Sequence, residues 1–215
     1  MKSLDALRGP VYRIIDPMVR WMVARGIHPN LVTTFGFVCV VGAGYLYHLD
    51  HVRWAGALVL VGGIWDIFDG QVARASGMAS KFGSFYDSTL DRISEIVVYM
   101  GLLSLYNNYG AALADVWMIY VIFAAMGGSL MVSYTRARAE GLGVDCTVGL
   151  MQRPERVVLL GVGSLFFGLD FNGAVLKSVI ILVAVLTNMT AIQRIVWVWR
   201  NAADVRIDDP SLRGQ

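Results

Sequence analysis

The stretch Asp66-Ile67-Phe68-Asp69-Gly70-Gln71-Val72-Ala73-Arg74-Ala75-Ser76-Gly77-Met78-Ala79-Ser80-Lys81-Phe82-Gly83-Ser84-Phe85-Tyr86-Asp87-Ser88-Thr89-Leu90-Asp91 sets four carboxylates between long apolar runs. On helices, Asp66 and Asp69 share a face at i, i+3, and Asp87 and Asp91 share another at i, i+4. One charged carboxylate at the centre of a membrane helix costs about 2.5–3.5 kcal/mol, so four that converge call for a cation or water. Oxygen-only clusters of this kind suit hard divalent ions such as Mg²⁺, Mn²⁺ or Ca²⁺. A purely structural alternative would pair the aspartates with Arg74 and Arg92.

The sequence on either side identifies the solvent these carboxylates sit in. Of 215 residues, 56% are apolar and 16% charged, the profile of a polytopic, all-α membrane protein with one domain. Apolar segments recur at lengths that cross a bilayer, about 20 residues each. Six spans are expected near Leu31–Leu49, Arg53–Ala73, Ser84–Tyr106, Val116–Arg136, Arg156–Gly168 and Ala174–Trp199, the fifth being short. The domain plan is a juxtamembrane helix over 1–28, a six-helix membrane domain over 29–200 and a tail over 201–215.

An even span number puts both termini on one side. Of the 18 basic residues, 15 fall on that side; Arg53 and Lys177 fall opposite, and Arg92 lies within the third span. By the positive-inside rule both termini and the aspartate stretch face the cytoplasm, which makes this a cytoplasmic (inner) membrane protein. A cysteine placed in the turn at 107–110 would then label from outside, and native Cys146 only after permeabilisation.

The first 28 residues lack the compact apolar region and small-residue cleavage site of a signal peptide. Val11, Ile14, Ile15, Met18 and Met22 cluster on one helical side, with Arg13, Asp16 and Arg20 opposite. That pattern predicts an interfacial amphipathic helix, with Asp16-Pro17 a candidate break. The net charge of +2 follows topology rather than forming a patch, which argues against nucleic-acid binding. Cys39 and Cys146 form neither a disulfide framework nor a zinc site. His28, His48 and His51 sit at span ends, where headgroup contact accounts for them.

Asp66, Asp69, Gly70, Ala73, Arg74, Gly83, Asp87 and Asp91 match, without departure, the signature D-x2-D-G-x2-A-R-x8-G-x3-D-x3-D. The chain therefore resembles the CDP-alcohol phosphotransferases. The resemblance implies transfer of a phosphatidyl group from a CDP-lipid to an alcohol, with CMP released. It implies Mg²⁺ or Mn²⁺, two ions, held by Asp66, Asp69 and Asp87 with Asp91 near enough to share one, and Asp91 as general base. Gly70, Gly83 and Ala73 would leave room for the nucleotide, and Arg74 would meet phosphate. Upstream, Asn30, Leu31, Val32 and Thr33 resemble the family's segment that seats the CDP-lipid, and Ser80 matches a small hydroxyl residue near the nucleotide. Asn30 would equally serve as a plain helix N-cap.

Ser133-Tyr134-Thr135-Arg136-Ala137-Arg138-Ala139-Glu140, Gln152-Arg153-Pro154-Glu155-Arg156 and Gln193-Arg194 resemble elements of the bacterial phosphatidylinositol-phosphate synthases. By that resemblance Arg136, Arg153 and Arg194 hold the phosphate of inositol 1-phosphate; Arg136 stands where those enzymes commonly have lysine. Three cations beside four aspartates suit an anionic acceptor, because a neutral alcohol gives them nothing to bind. Glycerol 3-phosphate, giving phosphatidylglycerophosphate, meets the same charge requirement. A cation transporter would also use intramembrane carboxylates, but would release no CMP. The family's members are homodimers, and Gly127-Gly128-Ser129 offers small residues for close helix contact.

Overall fold

The computed structural model describes residues 15–107 and 115–202. Among them every regular element is helical: α1 (15–24), α2 (Pro29–His48), α3 (Val52–Ser76), α4 (Lys81–Asn107), α5 (Val116–Glu140), α6 (Arg153–Val162) and α7 (Ala174–Ala202). A π-helical turn, Gly163–Phe167, continues α6, and a 3₁₀ turn, Asp170–Gly173, leads into α7. The helices run up and down, so the C-terminal end of α3, the N-terminal end of α4, the C-terminal end of α5 and the start of α6 meet at one end of the bundle.

Helices α2, α3, α5 and the run Asp170–Ala202 are long and apolar enough to cross a membrane. The six expected spans map onto α2 to α7, but two of them fall short of that measure for visible reasons. Helix α4 carries Asp87, Asp91, Arg92 and Glu95 between its first turns and its middle. Helix α6 has 10 residues before its π turn, which closes at Gly168 with φ +51°; a Cβ there would meet Arg53 Cγ at 2.8 Å. Only glycine takes that left-handed turn against the arginine stem without strain.

Lipid gives helices little apolar reason to associate, so close backbone approach has to. Gly44 of α2 lies against α4, where an added Cβ would sit 2.8 Å from the Val97 carbonyl oxygen, and a Cβ on Gly101 would meet Gly44 itself. Helix α3 meets α6 in the same way at Gly56 and Gly161, and α5 lies along α7. The interior between them holds Tyr47, Tyr99, Leu102, Leu105, Ile122, Leu176 and Ile180. Large apolar side chains such as Phe35, Trp54, Tyr120, Phe123 and Ile192 point outward, as lipid contact requires.

Two expectations change here. Gly128 packs against Thr187 and Asn188 of α7, and buried Ser129 hydrogen-bonds Tyr99 at 3.0 Å, so both are spent inside the protomer. Gly127 alone of that trio meets open space. Cys146, within the α5–α6 loop, is fully buried in a cluster with Ala139 and Val144 against Trp197 and Val198 of α7, which makes it a poor labelling site. Pro17 falls in the first described turn of α1, where proline costs no intrahelical hydrogen bond, and the helix buries Val19 and Met22 against Val32, Phe68 and Val72. The expected features at 1–14, at 108–110 of the labelling turn and at 203–215 of the tail lie outside the described residues.

Candidate functional site

The α3–α4 hairpin brings the first pair of aspartates against the second. Gly77, with φ +69°, ends α3 in a left-handed cap, and Ser80 Oγ accepts the Gly83 N–H at 3.0 Å as α4 begins. Helix α2 packs against both α3 and α4 and holds their aspartate-bearing ends toward one another. Ligand oxygens of Asp66, Asp69 and Asp87 consequently lie within 4.8 Å of one another. Asp69 is 5% exposed.

Two oxygens of this group, Asp69 Oδ2 and Asp87 Oδ1, are buried with no hydrogen-bond partner among the described residues. A buried, unpartnered carboxylate oxygen is costly, and like charges this close repel. Hard donors at this spacing, unsatisfied by protein, fit a divalent cation. Asp91 stands outside the trio. Its Oδ1 lies 2.8 Å from Arg153 Nη2 in an ion pair, while Arg153 Nη1 donates to Asp66 Oδ2 at 2.7 Å. One guanidinium fork thus bridges the edge of the cluster and the fourth aspartate, which point-charge lysine would not reproduce. Arg74 and Arg92 have no carboxylate partner among the described residues, so the structural pairing weighed above is not the one the fold makes.

Two cavities open on the cluster. The smaller, about 210 Å³, is lined by Asn30, Thr33, Asp69, Gly70, Ala73, Arg74, Ser80, Gly83, Ser84 and Asp87, with Pro29, Met78 and Ala79. A Cβ on Gly83 would meet Ser80 Oγ at 3.1 Å and Asn30 Oδ1 at 3.4 Å, so glycine keeps this cavity open. His28, not Asn30, caps α2: its Nδ1 accepts the Asn30 N–H at 3.2 Å, which leaves the Asn30 side chain to the cavity. Leu31 and Val32 line neither cavity; Leu31 is exposed and Val32 packs under α1.

The larger cavity, about 480 Å³, shares Ser84 and Asp87 with the first and adds Asp91, Arg136, Arg153 and Arg194. The three arginines that sequence reading put together therefore do converge. Their present bonds differ. Arg136 Nε pairs with Glu140 at 2.8 Å in an exposed position. Arg194 is 2% exposed; its Nε donates to the Val148 carbonyl at 2.8 Å and its Nη1 to the Val132 carbonyl. It therefore ties the α5–α6 loop to α5.

Sequence reading missed Glu95 and Arg156, which also line the larger cavity and pair at 2.6 Å. The signal was available: Asp87, Asp91, Glu95 and Tyr99 form an unbroken i, i+4 polar stripe along α4.

The family model for CDP-alcohol phosphatidyltransferase matches residues 26–199. An archaetidylinositol phosphate synthase of Pyrococcus horikoshii is 35% identical over 193 residues, covering 89% of this chain and 94% of the relative. A phosphatidylinositol phosphate synthase of Streptomyces avermitilis is 34% identical over 199 residues, covering 89% and 80%. The crystal structure of Mycobacterium tuberculosis phosphatidylinositol phosphate synthase with CDP-DAG bound superposes with a TM-score of 0.80 at 29% identity, covering 90% of this chain and 98% of that one. The same mycobacterial enzyme in complex with manganese and citrate gives 0.79 at 28% identity, covering 88% and 92%.

Proposed function

The chain belongs to the CDP-alcohol phosphatidyltransferase family, and from its paired cavities we propose that it transfers a phosphatidyl group from CDP-diacylglycerol to inositol 1-phosphate. The products are phosphatidylinositol phosphate and CMP. The observation that carries this reading is the junction at Ser84 and Asp87, where a cavity lined by the signature residues meets one lined by three arginines. A donor in the first and an anionic acceptor in the second would meet beside the aspartates.

In this reading Asn30, Thr33, Gly70, Ala73, Arg74, Ser80 and Gly83 seat the CDP moiety, with Leu31 toward the lipid and Val32 holding the segment from beneath through its packing on α1. Asp66, Asp69 and Asp87 hold Mg²⁺ or Mn²⁺, two ions, with Asp91 at the edge of the set. The bound metal would neutralise pyrophosphate charge as a Lewis acid and template. Arg136, Arg153 and Arg194 take the acceptor's phosphate through charge-assisted bonds. Arg153 holds one oxygen of Asp91, leaving the other to accept the proton of the attacking hydroxyl. That hydroxyl oxygen bonds to the lipid-side phosphorus, the bond from that phosphorus to the bridging oxygen breaks, and CMP leaves with the electron pair.

The membrane setting follows from the same premise: six spans, α1 at the interface, and the cleft and both termini in the cytoplasm, with the protein in the inner membrane as a homodimer. The excess of basic residues at the cleft end supports the orientation. The test of function is the lipid product. Purified protein with CDP-diacylglycerol, Mg²⁺ and inositol 1-phosphate should yield a lipid whose mass includes inositol phosphate. A product only with glycerol 3-phosphate would reassign the acceptor, and release of no CMP with any alcohol would overturn the reading.

A further inference from the structure

Glu95 lies one turn beyond Asp91 on α4, and Arg156 one turn beyond Arg153 on α6. Arg156 Nε donates to Glu95 Oε1 at 2.6 Å and its Nη2 to Oε2 at 3.2 Å, while Nη1 reaches the Met151 carbonyl at 3.3 Å. All three guanidinium nitrogens are thereby committed. Arg156 is 1% exposed, the largest fully buried side chain among the described residues. The pair Asp91–Arg153 and the pair Glu95–Arg156 form two consecutive rungs between the same two helices, and both border the larger cavity.

Helix α6 packs its backbone on α3, and its backbone makes little approach to α4. The rungs are the polar ties between α6 and the helix that bears Asp87 and Asp91, at the cleft end of the apolar cluster that Leu160 shares with Val98 and Tyr99. A buried ion pair adds little net stability over an apolar pair of the same size; its best-attested use is to fix register. We propose that Glu95, through Arg156, is the positioning residue of the acceptor half of the cleft. It fixes α6 so that Arg153 remains between Asp66 and Asp91. This rests on the acceptor reading given above.

The consequence is specific. With no carboxylate at position 95, the next one along that face of α4 is Asp91. Arg156 would turn to it, displacing Arg153 from the base and from the acceptor's phosphate. The smaller cavity contains neither Glu95 nor Arg156, so donor binding should not change.

The experiment is steady-state CMP release by the full-length enzyme, varying CDP-diacylglycerol and inositol 1-phosphate separately. Glu95→Gln should raise the acceptor KM about tenfold and lower kcat while leaving the donor KM as in the parent. Glu95→Asp, which keeps the charge, should fall between the two. The double variant Glu95→Gln with Arg156→Gln should recover part of the loss, because the stray cation is gone; a merely structural role would make the double variant worse. Should Glu95→Gln fold poorly, Glu95→Asp and the double variant report the same split. An unchanged acceptor KM, or donor and acceptor KM rising together, would overturn the proposal while leaving the acceptor assignment standing. A parent enzyme inert toward inositol 1-phosphate would instead strike the acceptor assignment, and the proposal with it.

Discussion

Replacing Arg153 with glutamine removes the side chain that ion-pairs with both Asp66 and Asp91. Its two ion pairs, 2.7 and 2.8 Å long, join groups whose side chains are 23%, 30% and 21% exposed, so solvent screens them only in part. In the proposed reaction the same guanidinium grips the acceptor's phosphate. A hydrogen bond to a charged group contributes about 1.5–3 kcal/mol, and each 1.36 kcal/mol is tenfold in rate. The expected loss in kcat/KM for inositol 1-phosphate is therefore about ten- to a hundredfold. The donor KM should stay as it is, because Arg153 does not line the smaller cavity. Arg153→Lys should recover little, since an ammonium cannot fork across two carboxylates. The assay is CMP release with each substrate varied in turn. A rise in donor KM equal to that for acceptor, or no change in acceptor KM, would refute the assignment of Arg153 to the acceptor.

Three further outcomes follow from other parts of the molecule. Asp69→Asn should raise the melting temperature in the presence of a chelator, because carboxylate charges within 4.8 Å of one another repel by at least about 3 kcal/mol at an effective dielectric of about 20. It should also abolish the rise in melting temperature that Mn²⁺ gives the parent; a variant that still responds to Mn²⁺ would remove Asp69 from the metal set. Gly101→Ala should cost about 1–3 kcal/mol of stability by forcing α4 off the Gly44 backbone, read by thermal melting in detergent; an unchanged melt would contradict that close approach. For orientation, exposed Asp50 and Thr147 replace the earlier labelling sites: Asp50→Cys should react with an impermeant maleimide in intact cells and Thr147→Cys only after lysis, and the reverse would invert the topology.

What the sequence made legible was periodic or chemical. The i, i+3 and i, i+4 spacing put Asp66 with Asp69, and Asp87 with Asp91, each on a single helix face, and Asp66, Asp69 and Asp87 do cluster. Arg136, Arg153 and Arg194 are far apart in sequence, and only motif resemblance joined them; the larger cavity brings them to one wall. What stayed hidden depends on pairing across helices. No spacing rule says that Arg153 would reach Asp66 and Asp91 rather than Arg74 or Arg92 doing so. Glu95 reads as one more polar residue until α6 is seen opposite it. Gly128 and Ser129 look like an outward small-residue seam, yet whether such a seam meets another copy or α7 is decided by helix rotation. The loop that buries Cys146 and binds Arg194 has no periodicity to read.

In the proposed reaction the arginine-lined cavity receives a phosphorylated alcohol beside Asp91. The most direct measurement is the rate of CMP release from CDP-diacylglycerol with inositol 1-phosphate compared with unphosphorylated inositol, at equal concentrations and saturating Mg²⁺. Inositol 1-phosphate should be turned over and free inositol scarcely at all, since Arg136, Arg153 and Arg194 would then face an uncharged ligand. Equal turnover of the two would contradict that role for the cavity.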